Sequence, residues 1–170
     1  MWCTSEEEIE AEISKHYAEL FKSNDPTEFE EVLLGIPRTI SSLMNTQLIK
    51  PVTELEIQQA IFSMFPNKAP GVDGMPPLFF QTYWHIIKND VVNAVTSFFH
   101  SSKILTAINE TIISLIPKVE NPVVLTNFRP ISLCTVIYKI ISKILANRLK
   151  KVLKHCISPS QSALYQGDKF

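Results

Sequence analysis

The stretch from Asn127 to Lys154, NFRPISLCTVIYKIISKILANRLKKVLK, constrains the chain more than any other. Phe128 to Leu133 reads as a short extended segment, with Pro130 biasing Arg129 toward β or polyproline geometry. Val136 to Lys154 then reads as one amphipathic helix. On a wheel of about 100° per residue, Ile137, Ile140, Ile141, Ile144, Leu145 and Val152 share a broad face, and Lys139, Lys143, Lys150 and Lys154 line the opposite one. That basic stripe has no acidic partner within the helix, so phosphate contact and plain solvation are both open. Arg148 falls in the middle of the apolar face. A guanidinium there must be paired or bonded to carbonyls, which favours structural support over ligand contact.

A helix with one apolar face needs a core to cover it, and the rest of the sequence can supply one. The chain has 170 residues, 45% of them hydrophobic, enough for one domain or part of one. No apolar run approaches the roughly 18 residues that span a membrane, and the acidic N-terminus is unlike a signal sequence. Cys3, Cys134 and Cys156 form no C-x-x-C pair, which fits reduced intracellular thiols better than a disulfide framework or a zinc site. The net charge of -1 conceals a gradient. Residues 1–60 hold 4 basic and 12 acidic side chains, and residues 101–170 hold 10 basic and 3 acidic. Such asymmetry suits either a C-terminal part that faces a polyanion or two oppositely charged parts of one fold.

Upstream of the hairpin, helix signals recur. Ser5-Glu-Glu-Glu8 and Thr53-Glu-Leu-Glu56 have capping-box spacing. The first opens a helix to about Lys22, with Ile9, Ile13, His16, Tyr17 and Leu20 on one face and His16 at its boundary. Asn24-Asp25-Pro26 breaks it, and residues 27–38 read as irregular up to Gly35-Ile-Pro37. A short helix covers Ile40 to Leu48. The second box opens a helix that packs Ile57, Ala60, Ile61 and Met64 and ends by Pro66.

Asn67-Lys-Ala-Pro-Gly-Val-Asp-Gly74 is a loop by composition and reads as a structural turn, because the spacing of a phosphate-binding P-loop is absent. Pro76-Pro77 then opens a long helix, Leu78 to Ser101. Its stripe of Phe80, Trp84, Ile87, Val91, Val95 and Phe98 is core in character, not a base-stacking platform. Thr111 to Ile116 is a β-branched run and reads as a strand. Phe128 to Leu133 is its partner, at an edge or bulged at Pro130. Ser158-Pro-Ser-Gln161 is a last capping box, opening a short helix from Pro159 to Leu164.

In this order, Asn67–Gly74, Phe79-Phe80, Trp84, Ile113-Ser-Leu-Ile-Pro-Lys118, Asn127-Phe-Arg-Pro-Ile-Ser-Leu-Cys134, Tyr138-Lys139, Ala146-Asn-Arg-Leu149 and Ile157–Ala163 resemble the N-terminal part of the reverse transcriptase of plant LINE-type (non-LTR) retrotransposons. The resemblance is clearest from Thr53 to Ala163. It implies an α+β, mostly helical fold: part of a right-hand polymerase, with the fingers region and its short β-hairpin present and palm and thumb missing. Residues 1–66 would be a helical region before the fingers, and residues 67–170 the fingers and the palm entry. By the same resemblance, Lys118 and Arg129 lie near template and incoming nucleotide. Lys139, Lys143 and Lys150 would contact nucleic-acid backbone, and Arg148, Trp84, Gly71 and Gly74 are structural.

The implied partner is an RNA template or an RNA/DNA hybrid, and the implied location is nuclear. Two departures stand out. Val72 replaces a usual proline, and Leu164-Tyr-Gln-Gly-Asp168 ends in aspartate where the family has arginine. Nucleotidyl transfer needs carboxylates that hold two Mg²⁺ ions, which the family carries further C-terminal. From residue 61 on, the aspartates are Asp73, Asp90 and Asp168, none in such a motif, and the chain is expected to carry no endonuclease domain before Met1. The expectation is a chain that holds no metal or cofactor itself and does not polymerise DNA alone. Two further readings are a residual RNA- or hybrid-binding module, and a helical interaction protein that self-associates through exposed apolar surface.

Overall fold

A computed structural model describes residues 5–23, 27, 29–35 and 37–157. The capping box at Ser158, the helix expected after it, Asp168, Cys3 and the Asn24-Asp25-Pro26 break lie outside the described residues. The elements in order are α1 (Glu6–Leu20), α2 (Glu30–Leu34), α3 (Ser42–Ile49), α4 (Glu54–Phe62), α5 (Pro77–Thr82), α6 (Trp84–Ser101), α7 (Thr106–Asn109), β1 (Thr111–Pro117), a 3₁₀ turn (Leu125–Asn127), β2 (Phe128–Cys134) and α8 (Val136–Cys156). The chain divides into two compact units, residues 1–37 with 114–131, and residues 38–113 with 132–170.

In the first unit, α1 starts where its capping box requires. The Ser5 hydroxyl accepts from the Glu8 amide at 3.2 Å, and the Glu8 carboxylate accepts from the Ser5 amide. Three glutamates in the first turn suit the positive end of the helix dipole. Tyr17 is the buried residue of its apolar face, flanked edge-on by His16 and stacked with Phe21, while Ile9 and Leu20 are exposed. Residues 27–38 were expected to be irregular, yet Glu30–Leu34 forms one helical turn. Two glutamates at its start favour the turn through the dipole, a local effect too short to show as periodicity.

The second unit holds the main core. Ile57, Ala60 and Ile61 of α4, Phe80 of α5, Trp84, Val91 and Val95 of α6, and Val136, Ile140, Ile141 and Ile144 of α8 form one buried cluster. Burying each large side chain contributes about 1.5–3 kcal/mol, so α8, with four members, is the element the others pack around. The helix expected as one piece from Leu78 to Ser101 is two. Tyr83 leaves helical geometry (φ -98°, ψ 16°) and separates α5 from α6. Neither glycine nor proline lies at the break, so no residue marks it. On the near side, Gln81 Nε2 donates to the Ile61 and Met64 carbonyls at 2.9 and 3.0 Å, satisfying acceptors at the end of α4. On the far side, Trp84 packs edge-on against Phe62, with ring centroids 6.3 Å apart.

β1 and β2 form a two-stranded sheet. Pro130 sits in β2, and both strands of a two-stranded sheet are edges, so its missing amide costs the ladder little.

Candidate functional site

The basic candidates fall in both units. Lys118 and Arg129 belong to the first, on the distal part of the hairpin. The Lys118 amide closes the strand pair on the Asn127 carbonyl at 2.8 Å. Its ammonium donates to the Thr126 carbonyl at 2.9 Å, which ties the cation to the connecting loop. Asn127 orders that loop from inside, its Oδ1 accepting from the Val123 and Val124 amides at 3.2 Å each. Arg129 is exposed, and its guanidinium makes no hydrogen bond or ion pair with the described residues. The hairpin thus presents one tethered and one untethered cation on an ordered frame.

The helix candidates belong to the second unit, and the structure separates their roles. Lys139 is not a solvated member of a stripe. It is half-buried, and its ammonium donates to the Ala69 carbonyl at 2.6 Å. Burial holds its pKa below the ordinary lysine value, opposed by Cys134 and Asp73 and reinforced by Lys68. The contact pins the loop of residues 67–74 to the start of α8. Gly71 makes the same junction by close approach: a Cβ there would lie 2.5 Å from the Thr135 amide nitrogen and 2.7 Å from the Cys134 carbonyl carbon. Gly74 serves the loop differently, adopting φ +67° with open space around it. Its amide closes a turn on the Gly71 carbonyl at 3.1 Å, and Asp73 Oδ1 accepts from the Met75 amide at 3.2 Å.

Thr135 completes the junction. Its hydroxyl accepts from the Tyr138 amide as the N-cap of α8 and donates to the Ile108 carbonyl at 3.0 Å. Sequence reasoning missed the role of Lys139, yet a signal existed. A lysine in the first turns of a helix opposes the dipole, so such a residue needs a partner beyond its own helix.

Arg148 is the most heavily bonded residue of the site, with a relative exposure of 6%. Its Nε and Nη2 form a fork on Glu56 at 3.1 and 2.9 Å. Nη1 donates to the Leu48 and Lys50 carbonyls at 3.0 and 2.6 Å, and Nη2 also reaches the Pro51 carbonyl at 3.3 Å. All five guanidinium donors are therefore committed. Phe99 adds a ring face 5.5 Å from Cζ. The result joins α8, the α3–α4 connection and the start of α4. Hydrogen bonding from Arg148 holds the Glu56 carboxyl below its ordinary pKa, overcoming the effect of burial. Among the described residues no buried side-chain polar atom lacks a partner. Lys143 is half-buried, its ammonium making no hydrogen bond or ion pair to the described residues, and Lys150 is exposed.

Among the described residues no group of three or more His, Cys, Asp or Glu is placed to hold a metal ion. No helix among the described residues is long and apolar enough to cross a membrane.

No protein-family model matches the chain. Among curated proteins it is similar to the "Transposon TX1 uncharacterized 149 kDa protein" of Xenopus laevis, with 34% identity over 153 residues. That alignment covers 89% of this chain and 12% of the amphibian protein, so the chain spans about an eighth of its relative.

Proposed function

We propose that the chain derives from a non-LTR retrotransposon and serves as the template-handling fingers region of an RNA-directed DNA polymerase. The observation that carries this is the ordered series of motifs from Asn67 to Ala163, together with similarity to a transposon protein over most of the chain. The relative is amphibian, so the similarity extends beyond the plant elements that the motifs resemble. In this reading the hairpin offers Arg129 to a phosphate or a template base, Lys118 stiffens the loop beside it, and Lys143 meets nucleic-acid backbone from α8. Lys139 and Arg148 act through the scaffold. One holds the loop of residues 67–74, and the other holds the end of α3 and the start of α4.

The test is filter binding of a single-stranded RNA and of an RNA/DNA hybrid by the chain over a salt series. Binding should weaken steeply with salt, with a log–log slope of about -0.7 per phosphate neutralised on a single strand. Arg129→Glu should weaken it further. Binding that is absent, or indifferent to both salt and Arg129→Glu, overturns the proposal.

A second reading, self-association, draws support from Phe62, Phe65, Leu78, Tyr83 and Ile86, all exposed in the second unit. Such apolar surface is a marker of association. Light scattering that shows a monomer at high concentration removes this reading and leaves the first intact.

A further inference from the structure

The two outer edges of the hairpin are not alike. The Lys118 amide bonds to the Asn127 carbonyl at 2.8 Å, and the Thr111 hydroxyl lies 3.7 Å from the Cys134 thiol. Lys118 is therefore opposite Asn127, Thr111 is opposite Cys134, and the strands run antiparallel. Ladder bonds in such a pair alternate. The even-numbered residues of β1 exchange them with β2, while the backbone of Thr111, Ile113, Leu115 and Pro117 faces outward. By the same alternation Pro130, opposite Leu115, faces the outer edge of β2, and its missing amide takes a donor from the middle of that edge.

The β1 edge has no such guard before Pro117. Thr111-Ile-Ile-Ser-Leu-Ile116 holds no charge, no glycine and no proline, the devices that keep an edge from pairing. Ile112, Ile113 and Ile116 are exposed. A lone two-stranded ribbon is marginal in water and gains from a further strand. Among the described residues the sheet ends at these two strands.

The sequence of β1 fits itself. Antiparallel pairing of two copies about a two-fold axis at Ser114 sets Ile113 opposite Leu115 of the second copy, Ile112 opposite its Ile116 and Thr111 opposite its Pro117. Ile113 and Leu115 have outward-facing backbone, so they are the residues that exchange hydrogen bonds in this register. One step further out, Glu110 falls opposite Lys118 of the second copy, and symmetry repeats the pair. Both side chains are exposed, and the Lys118 ammonium commits one of its three donors to Thr126. Sliding the pairing one way to the next register with the same hydrogen-bond alternation sets Glu110 opposite Glu120, and sliding it the other way sets Lys118 opposite Ile108. Charge therefore selects the register centred on Ser114.

We propose that the outer edge of β1 is an interaction surface whose occupant is β1 of a second copy, paired antiparallel about Ser114 into one four-stranded sheet. This surface is separate from the helical apolar patch named above, and the inference does not depend on the nucleic-acid reading.

The experiment is sedimentation equilibrium of the full chain at low salt under reducing conditions. It compares wild type, Glu110→Lys, Lys118→Glu, the double swap of both, and Ile86→Glu in the helical patch. Wild type should form dimers as its concentration rises. Either single change sets like charges opposite each other twice per dimer and should weaken association roughly tenfold. The double swap restores opposite charges and should return the dimer to within about twofold of wild type. Ile86→Glu should leave it unchanged. A wild-type chain that stays monomeric overturns the proposal. So do single charge variants that associate like wild type, or a double swap no stronger than the single changes. A dimer lost in Ile86→Glu but indifferent to the charge variants assigns association to the helical patch and overturns the β1 edge.

Discussion

Replacing Arg148 with methionine should be among the more damaging single changes in the second unit. Methionine keeps much of the apolar stem, so the loss is confined to the guanidinium. That group makes five hydrogen bonds, two of them to Glu56, whose side chain is 23% exposed. Removing one partner of a buried ion pair costs about 3–5 kcal/mol, because the other charge stays desolvated. Here Glu56 retains some water, and Lys50 and Pro51 are exposed, so their carbonyls can rehydrate. The expectation therefore sits at the lower end, about 3 kcal/mol, a large share of a typical 5–15 kcal/mol stability. Arg148→Lys keeps the charge but not the planar fork, and should lose about half as much. The assay is urea unfolding followed by the fluorescence of Trp84, in a Trp2→Phe background that leaves it the sole indole. Adding Glu56→Gln to Arg148→Met should restore about 1–2 kcal/mol, since the stranded charge is then gone. A cost below about 1 kcal/mol, or strict additivity with Glu56→Gln, would refute the claim that this pair anchors α8 to α4.

Gly71→Ala should destabilise the unit severely, because the added carbon would meet backbone atoms at 2.5–2.8 Å that have no side chain to swing away. Gly74→Ala should cost only the left-handed penalty of about 1–2 kcal/mol, and the same unfolding assay ranks the two. Thr135→Val removes the N-cap bond to Tyr138 and the bond to the Ile108 carbonyl, for an expected loss of about 1–2 kcal/mol in thermal or urea unfolding. The pH dependence has a fixed sign. Glu56 has a folded pKa below its unfolded value, so its contribution is complete above the ordinary glutamate range and disappears as pH falls through the folded value. Stability measured across acidic pH should fall more steeply in wild type than in Glu56→Gln.

Most helix starts in this chain were legible because capping is local. Ser5 and Thr53 declare themselves through a glutamate three residues on, and both boxes form as the spacing requires. The apolar face of α8 was legible from periodicity alone, and so was the need for Arg148 to find acceptors inside it. Its partners were not legible, since Glu56 lies 92 residues earlier and the three carbonyls 97 to 100 earlier. Backbone acceptors carry no sequence signature at all. The same blindness hid Lys139, which read as one of four equivalent lysines until the Ala69 carbonyl showed what it binds. The break at Tyr83 was hidden because it follows from where two ends of a helix are anchored, not from any helix-breaking residue. The short turns α2 and α7 carry too few residues for a period to be read.

Photocrosslinking of the chain to an RNA containing 4-thiouridine, with the modified peptides identified by mass spectrometry, shows whether the hairpin and α8 meet a template. Crosslinks are expected in the hairpin peptides around Lys118 and Arg129 and in α8, suppressed by salt and by Arg129→Glu. Crosslinks confined to the acidic helix α1, or none above background while the chain remains folded, would contradict it.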